Sequence, residues 1–118
     1  MNQLTTSCIL AALGIALGAF GAHGLESILL ANGHDGTWNT AVLYHLIHSV
    51  SLFALATSKQ SLRSKWAFPL WTIGIVLFSG SLYTLSLTSI NILGAITPFG
   101  GLAFIAGWIS LILENRKS

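Results

Sequence analysis

The fold is decided by residues 66–113, which read WAFPLWTIGIVLFSGSLYTLSLTSINILGAITPFGGLAFIAGWISLIL. This stretch contains no Asp, Glu, Lys or Arg. A helix needs about 20 mostly apolar residues to cross a hydrocarbon core of about 30 Å, so the stretch can hold two membrane spans. The polar turn Thr88-Ser89-Ile90-Asn91 would separate them. The stretch therefore predicts two transmembrane helices, at about residues 66–87 and 92–113.

Two shorter stretches without charged side chains precede it, at residues 2–25 and 36–58. Each is long enough for one span, which we predict at about residues 5–23 and 38–57. Helices joined by short connections pack as antiparallel neighbours. The sequence therefore predicts an all-α membrane protein, in which residues 1–118 form a single domain of four transmembrane helices in an antiparallel up-down bundle.

The basic side chains indicate the orientation of this bundle. Lys59, Arg63 and Lys65 lie between the second and third spans, and Arg116 and Lys117 follow the fourth. Four spans place both groups on the same side of the membrane as the N-terminus. Because cytoplasmic connections carry the excess of Lys and Arg, we expect a multi-pass protein of the plasma membrane (the bacterial inner, or cytoplasmic, membrane) with both termini in the cytoplasm.

The composition excludes several other classes of protein. Charged residues make up 7% of the chain and hydrophobic residues 53%, whereas a soluble domain has about 25% charged residues. The lipid bilayer is therefore the expected partner that covers the surface. The five basic residues are explained by the topology and form no stripe with interleaved aromatic residues, so nucleic-acid binding is not expected.

Small residues and tryptophans suggest how the helices pack. Small residues recur three or four positions apart in the first span, at Ala11, Gly14, Gly18 and Ala22. This spacing lets another helix approach closely, from the same chain or from a second copy, and we favour the same chain. Gly100 and Gly101 provide a second close-packing position, beside Pro98, where we expect a kink. Trp38, Trp66 and Trp71 stand near predicted helix ends, as tryptophans at the membrane interface do.

The candidate binding site consists of polar side chains within or beside the spans. From the rise of 1.5 Å per residue, we place them in the external half of the membrane. The candidate ligand-binding residues are His23, His45, His48, Ser79, Tyr83 and Thr97. His45 and His48 are three residues apart, so we expect them to share a helix face.

Three interpretations of this polar cluster remain open. The side chains could hydrogen-bond across helices and fix the register of the bundle. They could hold a small ligand such as a quinone, a haem or a lipid headgroup. The three histidines could also bind a metal, since imidazole suits zinc, copper or iron, and Glu26, His34 or Asp35 of the external connection could add ligands. The cofactor is therefore left unknown.

An enzymatic activity is not expected. No carboxylate lies within a span to orient a general base, and the chain has no nucleophile elbow, phosphate-binding loop or HExxH motif. We therefore assign no catalytic residue.

Several stretches together resemble one family of proteins. They are GAFGAHGL at residues 18–25, WNTAV with YHLIH at 38–48, LFSGSLY at 77–83, and GAITPFGG with GW at 94–108. They resemble the YgdD/YwdK-like family of small bacterial inner-membrane proteins, a domain of unknown function with small transmembrane relatives in eukaryotes. The resemblance implies a four-span plasma-membrane protein and supplies no established activity, cofactor or catalytic residue.

These observations lead to two hypotheses about function. The favoured one is a non-enzymatic structural or accessory protein that supports membrane integrity or the assembly of a partner, which would be a second copy or another membrane protein. The alternative is a binding protein for a metal, haem, quinone or lipid headgroup at the polar cluster.

Overall fold

The computed structural model describes residues 1–58 and 65–116, and these residues form helices and turns without any β-strand. The helices are α1 (Gln3–Ala22), α2 (Glu26–Asn32), α3 (Asp35–Thr57), α4 (Ala67–Gly74), a π-helical turn (Ile75–Ser79), α5 (Gly80–Thr88), a 3₁₀ helix (Asn91–Ala95) and α6 (Thr97–Asn115). Four segments are long and apolar enough to cross a membrane: α1, α3, the third span (Ala67–Thr88) and the fourth span (Asn91–Asn115). The predicted all-α class with four membrane-spanning helices is confirmed.

The spans pack side by side in an elongated bundle that measures 51 × 26 × 21 Å. The first span, α1, packs along α3, and the third span packs on both α3 and the fourth span. Near the two chain ends, the backbone N–H of Lys65 donates a hydrogen bond to the carboxylate of Glu114. We call this end of the bundle the terminal end, and the opposite end, which carries α2, the α2 end.

The direction of the bundle across the membrane stays a prediction. Lys59, Arg63 and Lys117, on which that prediction depends, lie outside the described residues.

The α2 end is tied together by the short helix α2. Its Leu29 is buried against the bundle, and the side-chain amide of Asn32 donates a hydrogen bond of 3.1 Å to the carbonyl oxygen of Ser86 in α5. Gly33 ends α2 with φ = 71°, a left-handed conformation that glycine adopts without a steric cost. The chain can therefore turn directly into α3, which begins at Asp35.

The third and fourth spans are irregular where they meet. The π-helical turn Ile75–Ser79 inserts one residue into the third span, and its Phe78 backbone lies against Gly100. Pro98 does not kink a continuous helix, because the 3₁₀ helix ends at Ala95 and α6 begins at Thr97. Pro98 therefore occupies the first turn of α6, where a backbone N–H would have no partner within the helix, so the N–H that proline lacks is not needed.

Candidate functional site

Of the six candidate residues, the structure brings His45 and Tyr83 within hydrogen-bond distance and places the other four at separate positions. His45 contacts Tyr83, His48 contacts the fourth span, and Thr97 contacts Ser81. Ser79 bonds to the backbone of α3, and the side chain of His23 is exposed beyond α1. The expected common site is therefore divided among several helix–helix contacts.

His45 is buried at the junction of three spans. Its Nε2 lies 2.8 Å from the carbonyl oxygen of Leu10 in α1, and its Nδ1 lies 2.8 Å from the hydroxyl oxygen of Tyr83 in α5. A carbonyl oxygen only accepts, so Nε2–H is the donor to Leu10, and the neutral ring then accepts at Nδ1 from the Tyr83 hydroxyl. Both ring nitrogens are therefore used.

His48 makes its contacts with a different helix. Its Nδ1 donates to the carbonyl oxygen of Tyr44 at 2.9 Å, so in the neutral ring Nε2 accepts from the indole N–H of Trp108 at 3.1 Å. The imidazole also stacks on Phe104, with ring centroids 3.7 Å apart and planes 11° apart. The two histidines share a helix but carry their protons on opposite ring nitrogens and hydrogen-bond to different spans.

The hydroxyl groups make further contacts between spans. Ser79 Oγ donates to the carbonyl oxygen of Ala41 in α3 at 2.8 Å. Thr97 Oγ1 and Ser81 Oγ lie 2.6 Å apart and join the fourth span to the third. Throughout residues 1–58 and 65–116, no buried side-chain nitrogen or oxygen lacks a hydrogen-bond partner.

The proposed metal ligands are not brought together. His23 lies at the end of α1, where its backbone N–H bonds to the carbonyl oxygens of Ala19 and Phe20. Among the described residues, no group of three His, Cys, Asp or Glu side chains is arranged to hold a metal ion. A metal or a haem iron would also need an imidazole lone pair, and those of His45 and His48 already accept hydrogen bonds from Tyr83 and Trp108.

Two tryptophans form interhelical contacts that the sequence reasoning missed. Trp38 and Trp71 are each 1% exposed, so their interpretation as residues facing the membrane interface is wrong. The Trp38 indole N–H donates to the carbonyl oxygen of Leu17 at 2.9 Å, and that of Trp71 donates to Phe104 at 3.2 Å.

Each of these indoles fills the space left by a glycine on the neighbouring span. A Cβ at Gly21 would collide with the Trp38 ring, and one at Gly107 would collide with the Trp71 ring. We call these two contacts the indole clasps. One joins α1 to α3 near the α2 end, and the other joins the third span to α6.

The other packing glycines differ in how closely their neighbours approach. A Cβ at Gly14 would lie 2.6 Å from Leu46 Cδ2, and one at Gly18 would lie 3.2 Å from Val42 Cγ1, both in α3. A Cβ at Gly100 would lie 2.7 Å from the Cα of Phe78, whereas one at Gly101 would reach only ordinary contact at 3.8 Å. The glycine face of α1 thus packs on α3 of the same chain.

A cavity of about 300 Å³ opens at the α2 end. Its lining includes Glu26, Asp35 and Asn39 but none of the six candidate residues. Glu26 and Asp35 each lie in the first turn of a helix, where a carboxylate interacts favourably with the helix dipole. Their positions are therefore explained without a ligand.

Comparison with known proteins agrees with the resemblance noted in the sequence. A family described as "Protein of unknown function (DUF423)" matches residues 17–101. The UPF0382 membrane protein YwdK of Bacillus subtilis is 48% identical over 91% of this chain and 89% of its own length. UPF0382 membrane proteins of Staphylococcus haemolyticus and Haemophilus influenzae are 47% and 42% identical, over 89% and 88% of this chain and 87% and 85% of their own.

No solved structure matches the chain. The family match covers most of the sequence, and the relatives align over nearly their whole length. The chain therefore belongs to the DUF423 family of small bacterial membrane proteins, whose function is unknown.

Proposed function

We propose that this protein is a structural or accessory component of the plasma membrane that supports membrane integrity or the assembly of a partner. One observation carries the proposal: both buried imidazoles use both ring nitrogens for hydrogen bonds to groups of the chain itself. The two buried histidines are thus accounted for by helix packing.

The hydrogen bonds connect each span to its neighbours. His45 joins α3 to α1 and α5, His48 joins α3 to α6, and Ser81 with Thr97 joins the third span to the fourth. Apolar side chains gain little by leaving lipid for each other, so polar and close-packed contacts hold membrane helices together. Each such hydrogen bond contributes about 0.6 kcal/mol on average and up to about 1.7 kcal/mol. The network supports a protein whose internal polar groups stabilise one arrangement of the spans.

The rival hypothesis is a metal, haem, quinone or lipid-headgroup site at the same residues. A metal or haem iron requires the lone pair of His45 or His48 to leave Tyr83 or Trp108, and a quinone or headgroup oxygen requires an imidazole N–H to leave the carbonyl oxygen of Leu10 or Tyr44. Ligand removal and histidine replacement would therefore change stability together. A packing network predicts that histidine replacement changes the stability whether or not a ligand has been removed.

The test combines chemical analysis with two replacements of His48. Protein purified gently from membranes should contain no stoichiometric metal, no Soret absorption band and no copurified quinone. His48→Ala should lower the melting temperature, because it removes the acceptor of the Trp108 indole N–H, a bond worth about 0.6 kcal/mol on average and up to about 1.7 kcal/mol. His48→Gln offers an amide oxygen to the same indole and should recover part of that loss.

A chelator should leave the melting temperatures of the wild type and both variants unchanged. A chelator-sensitive wild type that His48→Gln fails to rescue would refute the packing interpretation. The accessory role itself is tested by deleting the gene for the family's protein from a bacterium. The dye permeability of the membrane should be higher in the deletion strain than in its parent, and it should return to the parental value when the wild-type chain or His48→Gln is expressed. Permeability that deletion leaves unchanged would contradict a role in membrane integrity.

A further inference from the structure

The short helix α2 depends on its contacts with the rest of the chain. Its seven residues, Glu26–Asn32, lie between Gly24 and Gly33. An isolated helix shorter than about 12–15 residues is at best marginally stable in water. The contacts through which α2 docks on the spans therefore decide whether it stays in place.

One apolar side chain of α2 faces the bundle. Leu29 is 2% exposed, whereas its neighbours Ile28 and Leu30 are 48% and 56% exposed. Lipid tails are as apolar as leucine, so this side chain gains little by contacting other helices in place of lipid. Burial of Leu29 therefore does not by itself fix α2 in its observed position.

A side-chain hydrogen bond supplies the directional contact. The Asn32 amide donates to the carbonyl oxygen of Ser86 at 3.1 Å and lies 3.5 Å from that of Leu87. Both carbonyl groups belong to the last turn of α5, where they have no N–H partner within the helix. Among the described residues, no other side chain of α2 forms a hydrogen bond with another helix. We call this contact the Asn32 latch.

The cavity of about 300 Å³ lies directly against α2. Glu26, Leu29 and Leu30 form the part of its lining that belongs to α2, and the ends of α1 and α3 form the rest. The space beside α2 is thus not filled by side chains. A displacement of α2 would remove one wall of the cavity.

We propose that α2 is a movable strap across the α2 end of the bundle, hinged at Gly24 and Gly33 and closed by the Asn32 latch. Hinges are residues at the ends of elements that absorb changes in φ and ψ, and glycine does so at the lowest steric cost. Release of the latch opens the cavity. The spans keep their arrangement, because the indole clasps and the histidine hydrogen bonds do not include α2.

Hydrogen–deuterium exchange of the full chain in phospholipid nanodiscs measures this opening. The amides of residues 29–34 form the hydrogen bonds of α2 and of the turn that follows it. They should exchange faster than those of residues 41–52 in α3, because opening of the strap leaves the spans folded. Asn32→Ala should lower the protection factors of residues 29–34 about 2- to 13-fold, the range for one hydrogen bond, and should leave those of residues 41–52 unchanged.

Matched variants separate the latch from general effects. Asn39→Ala makes the same change in the cavity lining without touching the latch, so it should leave the protection of α2 unchanged. In a chain whose Cys8 is replaced by serine, Leu29→Cys should react with a water-soluble maleimide about 2- to 13-fold faster once Asn32→Ala is added. Leu30→Cys, at a position that is already exposed, should react at the same rate with and without the latch.

Three results would overturn the proposal. Wild-type amides of α2 that exchange as slowly as those of α3 would show that α2 opens only when the whole bundle unfolds. An equal loss of protection in α2 and α3 on Asn32→Ala would show a general loosening of the bundle. Protection factors and Leu29→Cys reaction rates that Asn32→Ala leaves unchanged would show that α2 is held in place without the latch.

Discussion

Replacing Gly107 with alanine should weaken the packing of the third span on α6, because it adds one methyl group at an indole clasp. The Trp71 ring lies directly over the α-carbon of Gly107, and an added Cβ would stand 2.5 Å from Trp71 Cδ1. Trp71 is fully buried and also packs against Trp108, with ring centroids 4.3 Å apart. The indole therefore cannot move aside without disturbing its other neighbours.

The expected loss of stability combines three effects. Overpacking a filled site costs about 1–3 kcal/mol. Displacing the indole also strains its hydrogen bond to the Phe104 carbonyl oxygen, worth up to about 1.7 kcal/mol. Alanine recovers about 1 kcal/mol over glycine through its helix propensity. The net loss is at most about 4 kcal/mol, which would lower the melting temperature by up to about 15 °C.

Thermal unfolding of the purified protein in a mild detergent measures this effect. Gly80→Ala is the matched control, because a Cβ there meets no atom within 4 Å and gains the same helix propensity. The cost of Gly107→Ala should also shrink in a Trp71→Phe background, where the colliding five-membered ring is absent. Equal melting temperatures for Gly107→Ala and Gly80→Ala, or strictly additive effects with Trp71→Phe, would refute the reasoning.

Two further predictions follow from the packing and the charges. Gly100→Ala should lower the melting temperature more than Gly101→Ala does. A Cβ at Gly100 meets the backbone of Phe78, which cannot rotate away, whereas a Cβ at Gly101 makes only ordinary contact with the Phe78 ring. Similar melting temperatures for the two variants would contradict this prediction. In a chain whose Cys8 is replaced by serine, a membrane-impermeant maleimide should label Asp35→Cys in intact cells but not Leu62→Cys or Ser118→Cys. Labelling of the last variant from outside would reverse the predicted orientation.

The four spans could be predicted from the sequence because they are marked by the absence of charged side chains, which hydrocarbon does not solvate. A charged side chain is costly in hydrocarbon, so the lengths of the charge-free stretches decide where a helix can cross. The predicted third span at residues 66–87 and the observed Ala67–Thr88 differ by one residue at each end. The helix α3 begins three residues earlier than predicted, at Asp35, because α2 and Gly33 turn the chain directly into it.

The sequence could not show which polar side chains meet, because this depends on the direction in which each side chain leaves its helix as well as on its depth in the membrane. Residues three apart on an α-helix differ by about 60° in direction. His45 and His48 therefore share a broad face of α3, yet that difference directs one to Tyr83 and the other to Trp108. The π-helical turn further changes which side chains of the third span face α3, and no spacing in the sequence indicates that inserted residue.

The direction of the two buried tryptophan side chains could not be predicted either. A tryptophan near the end of a span is typical of the membrane interface, but that rule does not say which way the ring points. Trp71 turns inward because Gly107, far along the chain, leaves room for it. A glycine at matching depth on an antiparallel neighbour was the signal that could have identified both clasps.

Different contacts hold the spans together at different depths of the bundle. The clasp of Trp38 with Gly21 closes the α1–α3 pair near the α2 end, while the clasp of Trp71 with Gly107 closes the pair of the third and fourth spans nearer the terminal end. His45 and His48 connect the two pairs, and His48 does so beside the second clasp, where its ring lies 5.9 Å from that of Trp71. Helix packing therefore uses both ring nitrogens of each buried histidine.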